Sequence, residues 1–232
     1  MGNDRVSTGI EGLDEKINGG FPANTTIILM GEEGSGKGKI VKEFIYQGLK
    51  NDEQGMYVTL DDTPDSIKDD AEYYGWDYTE YEDNMVFLDG YSWQAGGSDH
   101  KYALEGLSDL NQMNMTFTDA LNGLDDGQKR VVLDSASTLL LYTDPSSAVK
   151  FLQVVGAKST GEGGCLIITL EEGMHDDQTI NTVNHVADGV IKTRVQDNSN
   201  QMKIKRLDKT DFNREWWDIE IDSDEGKISI KD

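Results

Sequence analysis

The sequence predicts an α/β fold in which a mostly parallel central sheet is flanked by helices, and three observations predict it. Short apolar, β-branched runs at 26–30, 55–60, 131–133 and 165–170 are separated by segments with helical apolar spacing, as at 40–46 and 145–158. A glycine loop at 31–38 joins the first of these strands directly to a helix. The 232 residues contain 3 prolines, no internal repeat and no Pro/Ser-rich linker, which predicts one domain over 1–232.

Taken in order, residues 5–22 read as a turn, a short amphipathic helical segment stopped by Gly19-Gly20, and entry into the strand at 26–30. That strand runs into Gly31-Glu32-Glu33-Gly34-Ser35-Gly36-Lys37-Gly38. Strand, glycine loop and helix together make a phosphate loop. Glycines let backbone N–H groups turn toward phosphate oxygens, the helix N-terminus adds positive dipole, and a lysine reaches the β- and γ-phosphates. Gly31, Glu33, Gly34, Ser35, Gly36, Lys37, Gly38 and Lys39 are therefore the candidate nucleotide cradle. The motif calls for Ser or Thr after the lysine, as a hydroxyl ligand for Mg²⁺, and Gly38 stands there instead.

The strand at 55–60 leads into Asp61-Asp62-Thr63-Pro64. Paired carboxylates beside a phosphate site suit general-base work on a water, while Asp62 or Thr63 also suits capping of the helix that begins at Pro64. That helix should end at Gly75-Trp76. Tyr73, Tyr74, Trp76, Tyr78 and Tyr81 lie among acids, which favours core packing or a protein contact over stacking on nucleic acid. A strand at 85–89 opens into an irregular loop at 90–100, polar segments follow through Met115, and Thr116-Phe117-Thr118-Asp119 should cap a short helix ending near Asp126-Gly127. The apolar strand at 129–135 ends in Asp134, placed to hold Mg²⁺ directly or through water. A helix at 145–158, a strand at 165–170 and a basic strand at 202–212 come next. Met202, Ile204 and Arg206 should share one face of that basic strand. Strands at 216–221 and 227–230 form a C-terminal β-hairpin with its turn at 222–226.

Composition bounds the setting. Acids outnumber bases 44 to 21, for a formal net charge of −23, yet 36% of residues are hydrophobic, which excludes an acidic disordered chain. A folded acidic protein suits a high-salt cytoplasm, where the Debye length shrinks to about 3 Å at 1 M and self-repulsion is removed; the expected source is halophilic and haloarchaeal. No apolar run reaches the length of a membrane span and no signal-peptide core precedes the domain, so the expected location is cytoplasmic. Cys165 is the single cysteine, in an apolar strand where it serves as a small filler, and His100, His175 and His185 show no metal-ligand spacing.

Ser7-Thr8-Gly9-Ile10, then Gly12-Leu13-Asp14, then Gly19-Gly20-Phe21-Pro22, an apolar strand and a glycine loop, in that order, closely resemble the KaiC-like branch of the RecA/RadA superfamily of ATPases. The resemblance extends over nearly the whole chain. It implies a RecA-like P-loop core with a single ATPase module, ATP as ligand, Mg²⁺ as cofactor, and Asp134 as the acid of the second nucleotide motif. The resembled family ends its second strand in Glu-Glu-(Ser/Thr)-Pro, one glutamate activating the attacking water; Asp61 and Asp62 occupy those positions, each one methylene shorter. Thr169 or Glu171 corresponds to a γ-phosphate sensor, and Ala187-Asp188-Gly189-Val190-Ile191 to the family's turn into a strand. Ring-forming relatives carry Lys-(Leu/Met)-Arg in the basic strand, reaching the ATP of a neighbouring subunit. Aligning Leu207 puts Arg206 at the lysine and Asp208 at the arginine.

Gly38, the Asp61–Asp62 pair and Asp208 depart from the family pattern, and all bear on turnover. The resemblance thus implies an ATPase of low activity in signalling or regulation, in a hexameric ring. The alternative is a switch or scaffold that reports ATP occupancy to a signalling or motor partner without hydrolysis. A DNA-acting RecA/RadA paralogue is disfavoured, because Lys101 is the only Lys or Arg between Gly90 and Gly127.

Overall fold

The structure is a computed structural model and describes residues 5–223 and 226–231. The chain begins with β1 (Arg5–Val6), β2 (Ile10–Glu11), α1 (Leu13–Lys16), β3 (Phe21–Pro22), β4 (Thr25–Gly31) and α2 (Lys37–Lys50). It continues through β5 (Gln54–Thr59), α3 (Pro64–Tyr73), β6 (Met85–Asp89), α4 (Leu110–Leu121), β7 (Lys129–Asp134), α5 (Ala136–Tyr142) and α6 (Pro145–Ser159). Then follow β8 (Cys165–Glu171), α7 (Asp177–His185), β9 (Gly189–Gln196), β10 (Ser199–Leu207), β11 (Trp217–Asp222) and β12 (Lys227–Lys231). One ten-stranded sheet has the order β2-β12-β11-β10-β9-β4-β8-β7-β5-β6, and β1 pairs with β3 in a small ribbon. Strands β9, β4, β8, β7, β5 and β6 are mutually parallel, whereas β9 to β12 zigzag antiparallel.

The parallel strands read as unbroken apolar runs because both of their faces are covered. Ile28, Val58, Leu133 and Ile168 point into one core with residues of α4, α5, α6 and α7. Their neighbours Ile27, Tyr57, Val132 and Ile167 point into the other, against α2 and α3. The period of 2 thus sorts each strand between two helical layers. The head motif has its own physical reason. Asp14 accepts from the Ser7 hydroxyl (2.6 Å) and from the Thr8 N–H (2.9 Å) and hydroxyl (2.7 Å), folding the segment onto α1. A Cβ on Gly20 would collide with the Val6 carbonyl, so only glycine lets β1 and β3 approach.

Local expectations and structure differ in a few places. The helix expected to be capped at 116–119 starts earlier, as α4, with the Asp109 carboxylate accepting from Asn111 and Gln112 N–H at 3.0 Å each. Thr116 and Thr118 lie inside it and donate to the carbonyls of Gln112 and Asn114, the back-bonding that lets a cap-type residue sit mid-helix. Helices α5 and α7 were not anticipated. Ser135 and Asp176 cap them. The 90–100 segment forms a short 3₁₀ turn at Ser92–Ala95, tied down by Asp89, which accepts from the Tyr91 and Ser92 N–H groups and the Ser98 hydroxyl. Of the expected hairpin turn at 222–226, residues 224 and 225 lie outside the described residues.

Candidate functional site

Parallel pairing brings the carboxyl ends of the central strands to one edge, the usual place for a ligand in an open α/β sheet. Gly31 at the end of β4 is level with Glu171 of β8 and Thr193 of β9, and Asp134 ends β7 level with Thr59 of β5. A Cβ at Gly31 would collide with Thr193, so glycine alone allows the glycine loop to leave the sheet there. The loop is then pinned on both sides. The Ser35 hydroxyl donates to the Glu32 carbonyl (2.6 Å) and shares a hydrogen bond with the Thr193 hydroxyl (2.7 Å), while the Glu32 carboxylate accepts from the Val195 N–H (2.6 Å). Glu33 and Gly34 stay exposed. Gly34 (φ +76°) and Gly36 (φ +92°) adopt the left-handed conformation, and the space above Gly34 is open. Gly36 is the N-cap of α2.

Lys37 opens α2 and is 7% exposed. Its ammonium donates to the carbonyls of Gly31 (3.0 Å) and Glu32 (2.8 Å) and pairs with Glu171 at 2.9 Å. Lys39 also lines the cleft at the loop, with its ammonium 4.8 Å from the centre of the Tyr74 ring. Gly38 sits in the first helical turn, where a Cβ would come no closer to its surroundings than 3.8 Å, to Lys42 Nζ, so the missing hydroxyl is a matter of sequence and not of space. Asp134 accepts from the Tyr57 phenol (2.7 Å) and the Thr169 hydroxyl (2.5 Å). Gly34, Gly36, Lys37, Gly38, Asp134 and Glu171 line a cleft of about 350 Å³, with the Lys42–Asp70 ion pair at its side. A larger cleft, of about 700 Å³, lies between α4 and α6 and shares no residue with it.

The two aspartates have separate surroundings. Both Asp62 oxygens serve the start of α3, accepting from the Thr63 N–H (2.8 Å) and the Ser66 hydroxyl (2.8 Å), and Thr63 is the N-cap. Asp61 instead accepts from the Thr138 hydroxyl of α5. Partial burial raises its pKa above the ordinary carboxylate value, hydroxyls of Thr138 and Ser135 pull it back, and Asp134 and Asp62 push it up again. Arg206 is elsewhere. A β-bulge between Ile204 and Arg206 shifts the alternation of β10, so that Leu207 joins Met202 and Ile204 in the core and Arg206 leaves their face. Its guanidinium donates to the carbonyls of Asn184 and Ala187 at the end of α7. Asp208 is exposed, and its N–H donates to the Asp188 carbonyl at 3.0 Å. Sequence reasoning did not single out Tyr57 or Thr138; both read as ordinary strand and helix residues until the fold brings them to carboxylates.

The chemistry of the cleft fits a phosphorylated ligand. The first turn of α2 leaves N–H groups without helical acceptors, and Lys37 is the cation beside them. For a divalent ion the fit is narrower. Among the described residues no group of three or more His, Cys, Asp or Glu could hold a metal, so Asp134 would hold Mg²⁺ together with phosphate oxygens and waters, as Mg²⁺ commonly accepts.

A family profile described as "ATPase: KaiC" matches residues 6–232. The chain belongs to the KaiC ATPase family. A UPF0273 protein of Methanopyrus kandleri is 30% identical over 198 residues, covering 83% of this chain and 77% of its own length. A UPF0273 protein of Pyrococcus horikoshii is 30% identical over 205 residues, covering 86% and 81%. The crystal structure of a KaiC-like protein from Pyrococcus horikoshii superposes with a TM-score of 0.81 at 22% identity, covering both chains fully, and shows the shared RecA-like fold. The family supports a RecA-superfamily nucleotide-binding protein. No helix among the described residues is long and apolar enough to cross a membrane.

Proposed function

We propose that this KaiC-family protein binds ATP with Mg²⁺ at Gly31, Glu33, Gly34, Ser35, Gly36, Lys37, Gly38 and Lys39 and hydrolyses it slowly, in a regulatory cycle. The observation that carries the reading is the pairing of Lys37 with Glu171 across the mouth of the loop, at 2.9 Å, with Asp134 lining the same cleft. Lys37 is held by groups that a triphosphate would replace, so its charge transfers to the β- and γ-phosphates without leaving a buried cation unpaired. Bound Mg²⁺ supplies neutralisation of phosphate charge. Asp61 is the carboxylate that accepts a proton from the attacking water, since Asp62 is engaged in capping α3. Its raised pKa brings it nearer the working pH of a general base. Gly38 withholds one metal ligand, which favours tight binding over fast turnover.

The competing reading, a switch that binds ATP without hydrolysis, rests on that same glycine. ATP binding and phosphate release measured together in molar KCl with Mg²⁺, for wild type and Gly38→Thr, separate the two. Slow release in the wild type, accelerated by the added hydroxyl, supports the ATPase. Binding with no release in either protein supports the switch. A hexameric ring, a cytoplasmic location and a haloarchaeal source complete the proposal; the charge of −23 supports the last.

A further inference from the structure

Strand β5 is buried throughout, with Gln54 and Thr59 at its two ends and the phenol of Tyr57 as the polar group between them. The ring is fully buried in the core against α2 and stacks on Phe87 at 6.0 Å and 26°. A buried phenol needs an acceptor, and the one this fold provides is Asp134 Oδ2, 2.7 Å away. Register explains the reach. Tyr57 stands opposite Val132 and Thr59 opposite Asp134, so the ring extends along the sheet toward its carboxyl edge. From the strand on the other side of β7, Thr169 donates to Oδ1. The Asp134 carboxylate is thus held from both neighbouring strands, one donor on each oxygen.

This matters because the loop withholds its usual ligand. An ionised carboxylate offers about four lone-pair sites, of which Tyr57 and Thr169 occupy one on each oxygen. The direction of the remaining pairs is set by those donors. With Gly38 carrying no side-chain hydroxyl, a divalent cation at this site depends on the orientation of Asp134 more than it would in a protein with Ser or Thr at that position. We propose that Tyr57 is the positioning residue of the metal site, fixing through its phenol the orientation in which Asp134 receives a divalent cation. The proposal rests on the reading of Asp134 as the metal carboxylate. Loss of such an outer partner typically lowers metal affinity about 10- to 100-fold.

Mn²⁺ is the probe, counted as free ion by paramagnetic resonance while it titrates the protein–ATP complex. Tyr57→Phe keeps the ring and its stacking and removes only the hydroxyl. Its Mn²⁺ affinity should fall about 10- to 100-fold, while ATP affinity measured in chelator is unchanged from wild type. Equal loss of Mn²⁺ affinity and of chelator-measured ATP affinity would mark a merely structural role and overturn the proposal. Asp134→Asn separates the proposal from the reading beneath it. If Asp134→Asn weakens Mn²⁺ binding and Tyr57→Phe does not, the positioning role is wrong and the metal carboxylate stands. If neither variant changes Mn²⁺ affinity, the metal reading of Asp134 fails with it.

Discussion

Replacement of Glu43 by Gln should remove a pH-dependent cost from the fold. Glu43 lies on α2, is 6% exposed, and its Oε2 has no hydrogen-bond partner among the described residues. Burial pushes its pKa from the ordinary 4.5 to about 8, with Lys50 and Arg130 offsetting only part of the rise. A raised carboxyl pKa means that the folded state holds the proton more tightly than the unfolded state. The stabilisation is therefore complete below pH 4.5 and is lost as pH climbs to 8. At about 1.4 kcal/mol per pH unit the loss reaches roughly 3 kcal/mol at neutral pH and roughly 5 kcal/mol beyond pH 8. Gln carries no charge, but its amide hydrogens need acceptors at a cost of about 1–3 kcal/mol, so the net gain at pH 9 is about 2–4 kcal/mol. The assay is denaturant unfolding of both proteins at fixed salt from pH 5 to 9. Their stability difference should change in favour of the variant by a few kcal/mol across that range. A difference that stays constant from pH 5 to 9 would refute the assignment of a buried, protonated Glu43.

Two further outcomes follow from buried groups. Arg130 is fully buried, pairs with Glu53 at 2.6 Å and donates to the Ser7 and Phe44 carbonyls, so Arg130→Met should cost about 3–5 kcal/mol in urea unfolding, with part recovered by adding Glu53→Gln. Cys165 is fully buried with its thiol pushed up to about 12, and it should react with an aromatic disulfide reagent only when denaturant unfolds the chain.

Legibility in the sequence followed the strength of the local signal. The strand at 85–89 coincides with β6, because an apolar run bounded by turn residues needs no tertiary information to be recognised. The glycine loop and Asp134 were legible for the same reason, and parallel pairing then put them at one edge of the sheet. Helix α4 was misjudged at its start, because Thr at 116 and 118 resembles a cap in sequence and becomes a mid-helix residue only by bonding back to the preceding turn. Arg206 was placed by strict alternation, which a single bulged residue reverses, and no local signal marks that bulge. The separation of Asp61 from Asp62 was beyond local reasoning. It depends on Thr138, which stands on an unanticipated helix and reaches Asp61 only in the folded chain. Tyr57 was hidden in the same way, since a tyrosine in a buried strand announces packing and not a hydrogen bond to a carboxylate on the next strand.

The most direct test of the account is calorimetric titration of Mg–ATP into the wild type and into Lys37→Ala. The glycine loop is a nucleotide site in this reading, with Lys37 its charged donor, and loss of a hydrogen-bonding charge worth about 2 kcal/mol or more should weaken binding at least about 30-fold. Saturable binding in the wild type and its loss in the variant is the predicted result. Equal affinity in the two proteins would contradict the assignment of the site.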